Sequence, residues 1–233
     1  MLSISAMYVV TAVLGRQVMK DKPAVNLGHF SKAYNFIQVI LSVYMAWGIF
    51  GPGGLKSKLF GINDEHTQQL EYFVWIHYWS KMLDFVDTLM IVLKKNDRQF
   101  TFLHVYHHGS IVAIWGYLLY AGVGTGTTAF GAGLNSIIHA IMYSHYFIVS
   151  IGLHNPFKKY ITTAQLVQFV LCIIHSLAVA AFETSTVQPF WWIQFVYQCS
   201  MFYLFMDFFK KNYSAEKNEG DQKEKTLRRR KAE

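Results

Sequence analysis

Long apolar segments alternate with short polar connections along almost the whole sequence. Most of these segments approach the roughly 20 residues that an α-helix needs to cross the hydrocarbon core of a bilayer. The pattern therefore predicts an all-α, polytopic membrane protein with about seven transmembrane helices. The predicted spans lie near residues 2–14, 33–50, 72–93, 100–121, 128–150, 160–181 and 190–209.

The predicted spans form one transmembrane domain, residues 1–209. The first span is short and lacks the basic region and the cleavage site of a secretory signal, so we interpret it as the remainder of a first helix. The final segment, residues 210–233, is basic and almost free of apolar residues, which predicts a disordered cytosolic tail.

Basic residues are distributed unevenly between the two sides of the predicted membrane domain. Of the 21 lysines and arginines, eighteen lie on one side, two on the other and one, Lys81, within a span. Because basic residues accumulate in loops that stay in the cytosol, we expect the richer side and the C-terminus to be cytosolic. A nucleic-acid-binding protein would instead carry a basic soluble domain with base-stacking aromatic residues, so we expect no nucleic-acid partner.

Three histidines interrupt the predicted fourth span. His104, His107 and His108 are spaced i, i+3 and i+4 and therefore lie on one face of a helix. Polar groups inside a bilayer are costly and usually mark a pathway or a site. The triplet is therefore a candidate functional site.

Three neighbouring spans carry polar side chains at a similar depth. They are Asp84, Asp87 and Thr88 in the third span, which also carries Lys81 at a deeper position, Asn135, His139 and Tyr143 in the fifth, and Gln165 and Gln168 in the sixth. A single such group would more often form an interhelical hydrogen bond, but many at one depth favour a shared chamber. A polar chamber that opens to the cytosol, with an apolar half beyond it, suits a substrate with a charged head and a long apolar tail.

A metal site is the first alternative, because imidazoles at this spacing can bind zinc or iron. Membrane di-iron desaturases and hydroxylases contain the same HxxHH pattern but need several histidine clusters, whereas this sequence has one. Asp84, Asp87, His139 and His145 could complete a small site, although we favour no metal. A non-catalytic lipid carrier or receptor is the second alternative.

The two cysteines, Cys172 and Cys199, lie in different apolar spans without a CxxC spacing. Only His175, three residues after Cys172, is a polar neighbour that could activate a thiol for acyl chemistry. We therefore interpret both cysteines as packing residues.

Four motifs, in this order, resemble those of the very-long-chain fatty acid elongase (ELO) family. Residues 81–88 resemble its KxxExxDT box, and residues 104–108 resemble its HxxHH box. Residues 135–146 resemble NxxxHxxMYxYY, and residues 162–169 resemble TxxQxxQF. The resemblance implies a membrane protein of the endoplasmic reticulum in which six helices surround a central acyl tunnel.

Two positions depart from the family pattern. Asp84 replaces the usual Glu, which keeps the charge but shortens the side chain by one methylene group. His145 replaces the first Tyr of the YY pair and adds a titratable group near the cytosolic side. Neither departure removes a group that the chemistry would require.

The resemblance implies condensation of a long-chain fatty acyl-CoA with malonyl-CoA, which yields 3-ketoacyl-CoA, CoA and carbon dioxide. Both CoA thioesters are substrates, and no tightly bound cofactor is expected. Imidazoles can form acyl intermediates, so we predict that His107 accepts the acyl group, assisted by His139 from a facing helix.

Five further residues are predicted to support this chemistry. Asp84 or Asp87 would fix the imidazole tautomers. Asn135, His104 and His108 would donate hydrogen bonds to thioester oxygens or to the malonyl enolate.

Substrate binding is assigned to residues at two depths. Cations at the cytosolic ends of the spans would meet the CoA phosphates; they are Lys94, Lys95, Arg98, Lys158 and Lys159. Lys81 lies deeper, where we expect a buried ion pair with Asp84. Tyr143, Gln165 and Gln168 would line the acyl or pantetheine channel.

Weaker signals concern substrate preference and partners. Gln99 and Tyr106 resemble the polyunsaturated-acyl subgroup of the family. Ketoacyl reductase, dehydratase and enoyl reductase activities would have to come from partner enzymes, because no Rossmann glycine fingerprint is present. Lys231, third from the end, weakly resembles an endoplasmic-reticulum retrieval signal. The sequence leaves a homo-oligomer open.

Overall fold

The structure of the chain is a computed structural model that describes residues 2–56 and 60–230, with side chains described as far as residue 211. Within these ranges all regular secondary structure is helical, which confirms the all-α prediction. The helices are α1 Leu2–Met19, α2 Gly28–Phe50, α3 Gln68–Leu83, α4 Phe85–Leu93, α5 Phe102–Tyr120, α6 Ala129–Ser150, α7 Lys158–Phe182 and α8 Trp191–Arg230.

Helix α2 shows the distribution of side chains that a lipid environment requires. Its polar residues Ser31, Gln38 and Ser42 are buried, whereas its large apolar residues Ile40 and Trp47 are exposed. In water this arrangement would be unfavourable, but lipid tails solvate apolar side chains and leave polar groups to find partners inside the protein.

Three helices, α1, α2 and α7, are long and apolar enough to cross a membrane by length and composition. Helices α5 and α6 have 19 and 22 residues, a length that also spans a bilayer, but they carry histidine and amide side chains. If α3 and α4 are taken as one interrupted span, the helices match the predicted number of seven.

The predicted span 72–93 is two helices, because the backbone is interrupted at Asp84. The Asp87 N–H donates to the Asp84 carbonyl at 3.1 Å, one residue short of the α-helical partner. That partner, the Leu83 carbonyl, instead accepts from the Tyr34 hydroxyl at 3.2 Å. A side chain that enters the helical hydrogen-bond ladder is a recognised cause of such breaks.

Close helix contacts depend on two glycines of the core. A Cβ at Gly48 would lie 2.1 Å from the ring of Phe73, so α2 and α3 touch at this point. A Cβ at Gly133 would lie 2.7 Å from the Ile49 side chain, so α6 also approaches α2 closely. Small residues at helix interfaces are the usual means of close packing in membranes. Helix α2 packs along α6, α7 along α8, and α1 against α4 and α5.

Helix α8 continues beyond residue 209, where the last predicted span ends. It has 40 residues, so it is about 60 Å long, twice the hydrocarbon thickness of a bilayer. The backbone is helical as far as Arg230. Residues 212–230 contain many Glu, Lys and Arg, which are strong helix formers, and this preference explains the continuation. The predicted retrieval lysine, Lys231, lies outside the described residues.

The buried side chain of Glu183 connects three loops on the side of the molecule that we expect to be lumenal. Its carboxylate accepts hydrogen bonds from the backbone N–H groups of Asn63, Thr184 and Ser185 at 2.9, 3.1 and 3.0 Å, and from the Thr127 hydroxyl. Burial alone would raise the pKa of Glu183, but these hydrogen bonds hold the pKa below its usual value. The carboxylate therefore joins the end of α7 to two other loops in its ionised form.

Candidate active site

A buried lysine gathers the predicted polar residues of α3 and α6 into one cluster. Lys81 is 1% exposed, and its ammonium group lies 3.1 Å from Asp84 Oδ2 and 3.0 Å from Asn135 Oδ1. The His139 ring is 3.4 Å from the same ammonium group and 3.9 Å from Asp84. These contacts confirm the expected ion pair between Lys81 and Asp84.

The two carboxylates are held by phenol and amide groups. Asp84 Oδ1 accepts from Gln38 at 2.8 Å and from the Tyr143 hydroxyl at 3.1 Å. Asp87 accepts from the Tyr34 hydroxyl at 3.2 Å and from the Tyr143 hydroxyl. Asp84 Oδ2 lies 3.9 Å from His139 Nδ1, and the role of Asp84 or Asp87 in fixing the imidazole tautomers stays a prediction. Tyr143 is 1% exposed and braces the carboxylates.

The three histidines of α5 have different neighbours. His104 Nε2 lies 2.8 Å from the Thr88 hydroxyl, and His107 Nδ1 lies 3.0 Å from the Tyr197 hydroxyl of α8. The His108 ring lies close to both of the others, with centroid distances of 4.3 Å to His104 and 5.3 Å to His107. Among the described residues, His108 Nδ1 is buried without a hydrogen-bond partner.

A cavity of about 50 Å³ lies between α5, α7 and α8. Ile111, Ile114 and Leu118 line it from the face of α5 that also carries His107, because these residues follow at helical spacing. Trp191 and Tyr197 also line it, and the Tyr197 hydroxyl is the group that contacts His107. The lining is mainly apolar, as an acyl chain requires.

The predicted phosphate-binding cations lie at the same side of the molecule and are exposed. Lys94 donates to the Ser31 hydroxyl at 2.5 Å, and Lys95 donates to the carbonyls of Lys20 and Lys22. These two lysines therefore also fasten α4 to α2 and to the connection after α1. Arg98, Lys158 and Lys159 are exposed as well.

The other predicted channel residues are placed on α7. Gln165 donates weakly to the Met142 sulfur at 3.7 Å, and Gln168 is 5% exposed.

Cys172 of α7 is fully buried, and the Gln194 amide donates a hydrogen bond to its backbone carbonyl at 3.1 Å. This environment is that of a packing residue.

Four residues of the site lie outside the sequence motifs. Tyr34 and Gln38 come from α2, Tyr197 comes from α8, and Tyr8 comes from α1. Tyr34 and Gln38 are spaced i, i+4 on the polar face of an apolar helix, and this pattern was the available signal for them. Tyr8 and Tyr197 carry no comparable signal, because tyrosines are common in membrane helices.

No group of three or more His, Cys, Asp or Glu side chains is arranged to hold a metal ion among the residues whose positions are described. The combination of Asp84, Asp87, His139 and His145 that the sequence left open is thus not assembled there. His145 lies in a separate groove with Ser144 and Asn155.

Comparison with known proteins gives the same family as the motifs. A sequence profile described as the GNS1/SUR4 family (ELO) matches residues 1–221. "Fatty acid elongase 5" of Leishmania major is 41% identical over 204 residues, which cover 88% of this chain and 81% of the relative. "Fatty acid elongase 5" of Trypanosoma cruzi is 37% identical over 205 residues, covering 88% and 80%. "Very long chain fatty acid elongase 5" of Rattus norvegicus is 35% identical over 218 residues, covering 90% and 73%.

The resemblance that four motifs carry is confirmed by matches over most of the sequence, and the apolar helices agree with the membrane environment of such an enzyme. The chain belongs to the ELO family of fatty acid elongases.

Proposed function

We propose that this elongase catalyses the condensing step, in which a long-chain fatty acyl-CoA and malonyl-CoA give 3-ketoacyl-CoA, CoA and carbon dioxide, through an acyl group held on His107. The observation that carries the proposal is the contact at 3.0 Å between His107 Nδ1 and the hydroxyl of Tyr197, a residue that also lines a mainly apolar cavity. It orients one imidazole nitrogen and leaves the other for bond formation.

The Tyr197 contact supports a defined role for each nitrogen of His107. When Nδ1–H donates to the Tyr197 oxygen, Nε2 carries the lone pair and is the nucleophile. Nε2 attacks the thioester carbonyl, the carbon–sulfur bond breaks, and the thiol leaves with the imidazole proton. The acyl group then remains on His107 as an acyl-imidazole.

Malonyl-CoA supplies the carbon nucleophile in the second half-reaction. Loss of carbon dioxide leaves the bonding electrons on the remaining two-carbon thioester as an enolate. The enolate attacks the acyl carbon, a carbon–carbon bond forms, and the carbon–nitrogen bond to His107 breaks. One proton from the solvent restores the neutral imidazole, so the reaction consumes one proton and releases carbon dioxide.

The lysine cluster is suited to stabilise the charge that develops on oxygen. Asn135 Oδ1 accepts from Lys81 at 3.0 Å, which leaves the amide N–H groups of Asn135 as donors. His139 of α6 lies 3.4 Å from the same ammonium group. Fixed donors of this kind, shielded from water, are the largest contributors to stabilising an oxyanion or an enolate.

The two ends of the substrate fit different parts of the molecule. The acyl tail occupies the cavity beyond His107, and side chains of α5 and α8 move apart to admit it, because about 50 Å³ is smaller than a long acyl chain. The CoA phosphates stay among the exposed cations, which include Arg98, Lys158 and Lys159. The path between the cavity and these cations is lined by Gln165, Gln168 and Tyr143.

Three finer assignments belong to the same proposal. The enzyme resides in the endoplasmic reticulum with a cytosolic C-terminus, as the distribution of basic residues supports. A reductase, a dehydratase and a second reductase complete the elongation cycle. Polyunsaturated acyl chains are favoured, on the evidence of Gln99 and Tyr106; the Tyr106 hydroxyl lies 2.9 Å from Ser200 on α8.

Purified protein tests the reaction directly. Wild type, His107→Ala and the matched control His154→Ala, an exposed histidine, are incubated with labelled malonyl-CoA and saturated, monounsaturated or polyunsaturated acyl-CoA. We expect carbon dioxide release and a two-carbon-extended ketoacyl product from wild type and the control, and neither from His107→Ala. A wild-type protein that binds acyl-CoA without releasing carbon dioxide would exclude condensation and favour a lipid carrier.

A further inference from the structure

We infer that Tyr8 of α1 acts through Thr88 as a positioning residue for His104. The inference rests on the proposed condensing function, since His104 belongs to the histidine triplet. Tyr8 lies outside all four motifs.

Tyr8 is one of the few residues of α1 that are buried. Its side chain is 7% exposed, and its neighbours Met7 and Val10 are 67% and 55% exposed. The Tyr8 hydroxyl lies 2.8 Å from the Thr88 hydroxyl, which lies 2.8 Å from His104 Nε2. Two hydrogen bonds of good length thus connect α1, α4 and α5, and we call this Tyr8–Thr88–His104 connection the relay.

The proton positions of Tyr8, Thr88 and His104 depend on one another. A threonine hydroxyl has one proton, so it donates to one neighbour and accepts from the other. Either Tyr8 donates to Thr88 and Thr88 donates to His104, or the whole sequence runs in reverse. In both cases the tautomer of His104 is tied to Tyr8. Without the phenol, the Thr88 hydroxyl is free to rotate and the imidazole loses this constraint.

The constraint reaches the predicted nucleophile through ring packing. The rings of His104 and His108 are 4.3 Å apart between centroids, and those of His108 and His107 are 5.3 Å apart. An altered hydrogen bond or orientation at His104 therefore changes the surroundings of His107. Small displacements of this kind are costly when reacting groups must be held in place.

The ring of Tyr8 has a packing role that can be separated from the role of its hydroxyl. It stacks on Phe85 with a centroid distance of 4.2 Å and an interplanar angle of 17°. A Cβ at Gly109 of α5 would lie 3.4 Å from the Tyr8 ring, so the glycine permits a close approach of the two helices. Phenylalanine at position 8 would keep both contacts and remove only the hydrogen bond.

The test compares Tyr8→Phe with Tyr120→Phe, which removes a hydroxyl from a tyrosine that is 82% exposed. We expect Tyr8→Phe to lower kcat about 3–10-fold, the usual effect of losing one hydrogen bond, and to shift the pH profile, while KM and the melting temperature stay near wild type. Tyr120→Phe should resemble wild type in all four measurements. Wild-type kinetics in Tyr8→Phe would overturn the relay.

Variants of Thr88 distinguish a relay from two independent contacts. Thr88→Ser keeps the hydroxyl and should retain activity, whereas Thr88→Val should lose at least as much as Tyr8→Phe. In the Thr88→Val background, the Tyr8→Phe substitution should have no further effect, because the relay is already broken. If the fold-loss of activity in the double variant equals the product of the losses in the two single variants, the two residues act separately and the inference is contradicted.

A chemical readout separates failure of the relay from failure of the proposed function. Diethyl pyrocarbonate modifies neutral imidazoles, and peptide mass spectrometry reports the rate at His104. We expect faster modification in Tyr8→Phe than in wild type and in Tyr120→Phe, whether or not the wild type condenses its substrates. Equal rates in all three proteins would overturn the relay, and absence of condensation with unequal rates would overturn the function alone.

Discussion

The ion pair between Lys81 and Asp84 gives the clearest prediction on stability. Both side chains are almost fully buried, at 2% and 3% exposure, with 3.1 Å between ammonium and carboxylate. In Lys81→Met the Asp84 carboxylate would stay buried, held only by Gln38 and Tyr143. Removing one partner of a buried pair costs about 3–5 kcal/mol. For a chain of 150–250 residues this corresponds to a fall in melting temperature of about 6–20 °C.

Tryptophan fluorescence of detergent-solubilised protein, recorded at one fixed heating rate, measures this change. The matched control is Lys159→Met, which removes an exposed cation and should shift the melting temperature by no more than about 2 °C. The double variant Lys81→Met/Asp84→Asn should recover part of the loss, because the neutral amide no longer needs a cation. Equal shifts for Lys81→Met and Lys159→Met would refute the reasoning, and so would a double variant that is less stable than Lys81→Met.

Three further predictions concern packing, pH and the nucleophile. Gly48→Ala places a Cβ 2.1 Å from the Phe73 ring and should destabilise the protein by about 1–3 kcal/mol in thermal unfolding, whereas Gly131→Ala, with its nearest contact at 3.7 Å, should be neutral or stabilising. The lowered pKa of Glu183 means that its ionised form stabilises the fold above the unfolded-state pKa of about 4.3 and that this contribution is lost as pH falls through the folded-state pKa. Melting curves of wild type should therefore fall more steeply below about pH 5 than those of Glu183→Gln, and parallel curves would exclude this role. Tyr197→Phe should slow acyl transfer to His107 about 3–10-fold in a stopped assay without malonyl-CoA, and an unchanged rate would remove Tyr197 from the mechanism.

The polar layer was predictable because the motifs give its residues and the helical period gives their faces. Lys81 and Asp84 pair as expected, and Asn135 and His139 of α6 lie beside them. What could not be predicted is which group each carboxylate contacts. Asp87 is bound by two phenols, and such contacts depend on rotamers and on the neighbouring helix rather than on spacing.

Two features of the fold were missed for physical reasons. The interruption at Asp84 depends on Tyr34, a residue about 50 positions away in sequence that occupies the carbonyl of Leu83. The contact between Tyr8 of α1 and Thr88 was missed because one tyrosine in an apolar helix has no pattern to identify it.

The acyl-enzyme itself provides the most direct test of the central claim. Purified protein is incubated with a long-chain acyl-CoA in the absence of malonyl-CoA, digested, and analysed by tandem mass spectrometry. We predict an acyl group on His107, its absence in His107→Ala, its retention in His154→Ala, and its disappearance when malonyl-CoA is added. An adduct on Cys172 or on another histidine, or an adduct that persists in His107→Ala, would contradict the assignment of His107 as the nucleophile.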